Sequence, residues 1–287
     1  MSMDSAIKKA VNGLPAFPAT VHRVTALIND PDSSMAELVD VVRLDQSITA
    51  NILRMCNSAY FGLRHKVDNV QDAILYLGRQ NIVRAVMAAG ASRFFRNTPG
   101  YEAEAKVMWE HAVGTALLAQ ILSKKVTGRE ETSLFTAAIL HDIGKIVLGA
   151  FVKDKYAEIK KIVSGESRSF LEAEEKVLGM NHATLGGLIA ANWKFPEEIR
   201  QAIAFHHRPD RLASGNGLMP WLVHLADQGC LMLGIGQGSD GLAYDGLDEA
   251  MKRLGLAQAD FEAALARLVK ELDNARELVG IVQPSPH

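Results

Sequence analysis

Apolar residues recur along this chain at steps of three and four. Val21, Val24, Leu27 and Ile28 form one stripe, Leu38, Val41 and Val42 a second, and Ile48, Ile52, Leu53 and Cys56 a third. That spacing places each set on one face of an α-helix, whereas the period-two alternation of half-buried strands is hardly seen. Helix starts are legible at Ser34-Met-Ala-Glu37 and Ser169-Phe-Leu-Glu172, where a hydroxyl can cap an amide and the glutamate can reach back. Pro196, followed by two glutamates, suits a first helical turn. The pattern predicts an all-α protein.

A polar stretch, Arg96-Asn97-Thr98-Pro99-Gly100, divides the chain and is too short to link independent bodies. It predicts an N-terminal helical part over 1–98, a second helical part over 101–233, and a tail over 234–287 packing on the second. The tail begins with a loop, Gly234 to Gly246, and ends in an amphipathic helix over roughly Ala257–Leu278. Within the loop, Gly236-Gln-Gly238-Ser-Asp-Gly241 spells GxGxxG. It follows a helical pattern and no strand, so a connector is the better reading than a phosphate cradle.

Charge and composition narrow the partners. The 287 residues carry 31 Lys and Arg against 33 Asp and Glu, a formal charge of -2, scattered without a basic face that would point to DNA. Cys56 and Cys230 lack CxxC spacing and lie in apolar helical contexts, which predicts reduced, buried thiols and a cytoplasmic setting. The first twenty residues lack the apolar core of a signal peptide, and no apolar run approaches the ~18 residues of a bilayer span, so no membrane role is expected.

All of the candidate chemistry follows residue 101. His111, His141-Asp142, His206-His207 and Asp227 are metal-capable, and residues 1–98 hold no comparable cluster. Leu134 to Leu148 reads as one buried helix interrupted by His141, Asp142 and Lys145, and polar groups in such surroundings require partners. Adjacent residues on a helix point ~100° apart, so each pair can reach two sides of a site, and two pairs suggest two cations. Lys145, one turn beyond His141, makes sense beside cations if an anion such as phosphate lies between them. Metal-assisted hydrolysis would then use cations to acidify water while Lys145 neutralises phosphoryl oxygens. A lone helical histidine is more often a satisfied core residue than a ligand, and Asp227 alone could be a hydrogen-bonded buried acid; the ordered set is what outweighs both readings. His224, one turn before Asp227, could support a ligand from behind. His22, His65 and His287 have no ligand context.

The order His, His-Asp with Ile-Gly-Lys, His-His and then Asp resembles the HD superfamily of metal-dependent phosphohydrolases. Leu178-Gly-Met-Asn-His182-Ala-Thr-Leu-Gly186 and Ala191-Asn-Trp193-Lys-Phe-Pro196 are similar to the segment that supplies an extra histidine ligand in its HD-GYP branch, and only through that similarity does His182 join the set. Leu14-Pro15-Ala-Phe-Pro18, Asp30-Pro31-Asp32-Ser33, Asp45-Gln-Ser-Ile-Thr49, Leu53 through Gly62 with Asn57-Ser58-Ala59-Tyr60-Phe61, and Ala73-Ile-Leu-Tyr-Leu-Gly78 together resemble the HDOD domain, over about residues 10–230.

The resemblance implies an HD-like multi-helix bundle. It also implies one divalent cation held by His111, His141, Asp142 and Asp227, a second held by His182, His206 and His207, and Asp142 bridging them. Imidazole and carboxylate donors suit Fe or Mn first, with Zn, Ni or Co also compatible. HDOD proteins commonly regulate without demonstrated hydrolysis, and Arg208-Pro-Asp-Arg-Leu212 stands where HD-GYP proteins carry Gly-Tyr-Pro. Two readings follow. One is a noncatalytic signalling module in which the metal stabilises the fold or a bound nucleotide gates a partner-protein surface on residues 1–98. The other is a dinuclear phosphohydrolase acting on a nucleotide or cyclic dinucleotide, with Asp142 and Lys145 in catalysis. The first is preferred for the cellular role.

Overall fold

The structure is a computed structural model describing residues 3–57, 66–95, 100–101, 104–166, 168–212, 217–236 and 246–281. Among these residues all regular structure is helical. Two compact units can be separated. One comprises Ala16–Arg93 and Val269–His287, the other Met1–Pro15 and Phe94–Leu268. The dividing stretch 96–99, most of the GxGxxG segment, and the Ser58–Gly62 end of the fourth motif lie outside the described residues, as do His65 and His287.

The first of these units is built on α2 (Ala19–Asn29), α3 (Met35–Arg43), α4 (Gln46–Cys56) and α5 (Val70–Ser92). The apolar stripes point inward as the pattern requires: Val21, Val24, Leu38, Val42, Ile48, Ile52 and Cys56 are buried. Ser34 and Glu37 close the expected capping box, with Glu37 N donating to Ser34 Oγ (3.2 Å) and Ser34 N to Glu37 Oε2 (2.7 Å). Several motif residues have structural tasks. Asp45 accepts the Ile48 amide (3.0 Å) and pairs with Arg93 (3.1 Å). Asn57 exchanges two hydrogen bonds with the Val67 backbone (2.6 and 2.7 Å). Gly78 takes a positive φ of 71° that kinks α5, and the next residue, Arg79, donates to the carbonyls of Leu27 and Ser33 (2.8 Å each). Gly90 lets α5 close on α2, since a Cβ there would lie 2.7 Å from Val21.

The other unit holds α1 (Met3–Asn12), α6 (Ala105–Thr127), α7 (Thr132–Leu140), α8 (Gly144–Glu166), α9 (Phe170–Leu178), α10 (His182–Asn192), α11 (Glu197–Ala204), α12 (Leu218–Met232), α13 (Leu247–Leu254) and the start of α14 (Gln258–Ile281). Helix α6 packs on α7 and α12, α10 on α8 and α11, and α1 covers α8 and α10 with Ile7 and Val11 buried. The Trp193 indole donates to Pro15 O (3.1 Å), holding the end of this first segment. Ser169 and Glu172 form the second expected capping box. Pro196 occupies the N-cap of α11, one position before the first turn that its sequence suggested. The terminal amphipathic helix is α14, while α13, with glycines at both ends, was not foreseen.

The expected continuous helix from Leu134 to Leu148 is corrected: α7 stops at Leu140 and α8 begins at Gly144. Between them the chain tightens into three-residue turns, with Ile143 N donating to Leu140 O (3.0 Å) and Lys145 N to Asp142 O (3.0 Å). The cause lies in packing. At Gly144 a Cβ would stand 1.9 Å from the His182 carbonyl oxygen and 2.8 Å from Gly186 N, so α8 starts against the backbone of α10 and could not extend α7 in a straight line. A second correction concerns apolar length. Thr132–Gly165, taken across the turn, does reach the length and apolarity of a membrane span, but 78% of its most apolar window is buried inside the protein.

Candidate metal centre

The turn at residues 141–143 and the end of α11 place their histidines by the same device. The last carbonyls of a helix lack partners within the helix. His141 Nδ1 donates to Ala138 O (2.7 Å), and His206 Nδ1 donates to Ile203 O (2.7 Å), each ring folding back three residues to satisfy one of those carbonyls. The next residue in each pair, Asp142 or His207, projects from the turn in a different direction. The pairs thus work through helix ends rather than through the 100° rotation of a continuous helix.

Helix α6 supplies His111, whose Nδ1 donates to Ile235 O (3.0 Å). This contact requires close approach by the turn after α12. Gly236, at φ 88°, has its Cβ direction only 2.5 Å from the His111 ring and Cβ, so no side chain fits there. The first glycine of the GxGxxG segment therefore serves packing against the site. Helix α10 begins at His182, whose backbone N–H and Nδ1 both donate to Glu174 Oε2 (2.9 and 2.7 Å). Helix α12 supplies Asp227, and His224, one turn earlier, donates from Nδ1 to His206 O (2.8 Å).

These commitments fix the ring protons. A carbonyl or carboxylate oxygen only accepts, so Nδ1 carries hydrogen in His111, His141, His182 and His206, and Nε2 presents a lone pair unless the ring is charged. The Nε2 atoms all face inward. His111 and His141 approach at 3.2 Å, and His182 and His207 at 2.9 Å. Asp227 Oδ1 lies 3.0 Å from His111 Nε2 and 3.8 Å from His141 Nε2. Asp142 stands between the two groups: Oδ2 is 3.4 Å from His141 and 3.8 Å from His111, while Oδ1 is 3.5 Å from His182 and 3.8 Å from His206.

The structure thus brings all seven sequence candidates together as two donor clusters. Asp142, His182, His206 and His207 form one, and His111, His141 and Asp227 the other, each with donor atoms within 4.8 Å of one another. Donors around a cation at about 2.0–2.2 Å are separated by about 3–4.4 Å, close to the spacings found.

Two further observations fit a cation. Asp142 Oδ1 and His206 Nε2 are buried without a hydrogen-bond partner, and both point into the clusters. Electron pairs and carboxylates packed this densely also need positive charge among them. Lys145 Nζ supplies part of it at 2.7 Å from Asp142 Oδ2, with only 12% of its side chain exposed and the Tyr101 ring 5.7 Å away. Burial alone would raise the Asp142 carboxyl, but Lys145, His141 and His182 hold it well below the usual carboxylate range. Asp227 is likewise held low against its burial, chiefly by His111. Burial works against a charged ring at His141, yet Asp142 and Asp227 outweigh it and raise its pKa. Burial and then the charge of His141 push His206 down to about 3, which keeps that ring a neutral donor.

Sequence reasoning missed Glu174. Its signal was available: Phe170, Glu174 and Leu178 fall at four-residue steps, which puts an acid on the buried face of α9. His22 belongs to the other unit, where it meets Phe17 edge-on at 5.8 Å. Cys56 and Cys230 are buried free thiols, as expected, and burial raises the Cys230 pKa.

Residues 14–209 match the HDOD domain family. Over 205 residues, 71% of its length, the chain is 22% identical to an uncharacterized protein of Treponema pallidum, and it spans 39% of that protein. The fold is shared with a crystal structure of an HDOD domain protein of unknown function from Geobacter sulfurreducens (24% identity, TM-score 0.77, covering 98% of this chain and 96% of that one). It is also shared with a provisionally named phosphohydrolase from Shewanella amazonensis (22% identity, TM-score 0.74, covering 97% and 98%). The helical units, the N-terminal motif residues and a family match over more than half of its length lead to one assignment: the chain belongs to the HDOD family.

Proposed function

We propose that this HDOD protein is a signalling module whose two donor clusters hold two divalent cations and bind a phosphate-bearing ligand, a nucleotide or cyclic dinucleotide, with occupancy passed to a partner protein. The observation that carries the reading is the convergence of Nε2 lone pairs from rings whose Nδ1 protons are already committed, around two carboxylates. Iron or manganese suits these donors best, with zinc, nickel or cobalt sharing the same chemistry. Bound cations would acidify water and polarise a phosphoryl oxygen. Asp142 would be shared between the clusters, and Lys145 would present its ammonium to an anion lying over that carboxylate. His207, with 24% of its side chain exposed, would be the ring that an entering ligand meets first. A cytoplasmic setting belongs to the same proposal.

Hydrolysis of that ligand is the second reading. It is favoured by the completeness of the donor set together with Lys145, in the roles that Asp142 and Lys145 would have in catalysis. Elemental analysis with anomalous scattering, nucleotide binding and turnover of a nucleotide and cyclic dinucleotide panel test both. Ligand binding without turnover, with a partner whose capture depends on that ligand, supports signalling. Turnover lost in Asp142→Ala moves the assignment to hydrolysis, and a protein that retains neither metal nor nucleotide overturns both.

A further inference from the structure

Glu174 is fully buried, and a carboxylate in that position requires donors. It has three. Oε2 accepts the backbone N–H and the Nδ1–H of His182, and Oε1 accepts the hydroxyl of Tyr101, itself only 1% exposed. We propose that Glu174 is a positioning residue for metal binding, anchored by Tyr101, which fixes the ring and tautomer of His182 and makes it the strongest nitrogen donor of its cluster.

The inference rests on the metal reading of the site and assigns a role inside it. His182 is the first residue of α10, where the helix leaves its amides unpaired. By taking both the amide and the ring proton of one residue, Glu174 fixes the start of the helix and the rotation of the imidazole together. The inward Nε2 then lies 2.9 Å from His207 Nε2 and 3.5 Å from Asp142 Oδ1. His111, His141 and His206 give their Nδ1 protons to neutral carbonyls, whereas His182 gives its proton to a carboxylate. A carboxylate partner raises ligand basicity, and removing such a partner typically costs about 10- to 100-fold in metal affinity.

The test uses the full chain, with Mn2+ and Zn2+ affinities measured by competition against a chromophoric chelator and imidazole protons located by 15N NMR. Glu174→Gln preserves size and one acceptor oxygen for the two His182 N–H groups, removes the charge, and turns the other oxygen into an NH2 donor that Tyr101 must meet with its hydroxyl oxygen. It is expected to weaken the ion held by His182 by about 10- to 100-fold, leave the other ion unchanged, and have no further effect in a His182→Ala background. Tyr101→Phe should weaken the same ion to a smaller degree. In the metal-free wild type, His182 should carry its proton on Nδ1. Wild-type affinity in Glu174→Gln, full additivity with His182→Ala, or an Nε2–H tautomer of His182 overturns the assignment. A wild-type protein that takes up no metal sinks the metal reading itself, whereas uptake by wild type that is indifferent to Glu174→Gln sinks only the role of Glu174.

Discussion

Nε2 of His111 and Nε2 of His141 face each other at 3.2 Å, although both rings have already given their Nδ1 protons to carbonyls. Two lone pairs at that distance repel unless a positive charge lies between them or one ring is protonated. Treatment with a chelator should therefore lower the thermal midpoint, and readdition of a divalent metal should restore it. At a hundredfold excess over Kd the gain is about 2.7 kcal/mol per ion. Scanning calorimetry before and after dialysis measures it, and a midpoint indifferent to metal contradicts the expectation.

Asp142 reaches both clusters, and Asp227 chiefly one. Asp142→Ala should reduce occupancy at both positions, whereas Asp227→Ala should empty mainly the position beside His111 and His141. Metal content per chain in each purified variant decides between this and equal effects.

Gly144→Ala should destabilise the protein by about 3 kcal/mol, because the new methyl group must displace the backbone of α10 at His182 and no flexible side chain can move in its place. Urea unfolding gives the difference directly. Gly179→Ala is the contrasting substitution: it meets no neighbour and carries only the strain of φ 76°.

The pH dependence follows from His206. Its folded-state pKa of about 3 lies below the ordinary histidine value of 6.5, so below that value the unfolded chain binds a proton that the folded chain refuses. Its contribution is whole above about pH 6.5 and is lost as pH falls toward 3, at up to about 1.4 kcal/mol per pH unit. The raised pKa of His141 acts in the opposite sense and only above pH 6.5, where its contribution declines as pH rises. Metal-free protein unfolded in urea at pH 7, 6, 5 and 4 should show a falling midpoint, which His206→Gln should make shallower, the remaining slope belonging to His207, whose pKa burial and the neighbouring His206 also hold well below the ordinary value.

Much of this was legible in the sequence because the signals are local. Four-residue steps predicted the helices, hydroxyl-to-glutamate spacing predicted the caps at Ser34 and Ser169, and residue type and order selected His111, His141, Asp142, His206, His207 and Asp227, whereas His182 entered only through the family resemblance. Features that depend on contacts between distant segments were not legible. The break after Leu140 is imposed by α10, about forty residues later, and Gly236 is a glycine because of a ring on α6. Glu174 lies in the charged run Glu172-Ala-Glu-Glu-Lys176, where its neighbours conceal that it alone of the three acids is fully buried.

The acceptors that orient the histidines differ in how exposed they are to mutation. Ala138, Ile203 and Ile235 contribute main-chain carbonyls, which survive any substitution that leaves the backbone in place. At position 174 the acceptor is the side chain itself. Among the described acceptors for His111, His141, His182 and His206, one side-chain substitution removes the acceptor only at Glu174, and a relative lacking an acid there could keep every metal-binding side chain and still have lost the geometry that aligns His182.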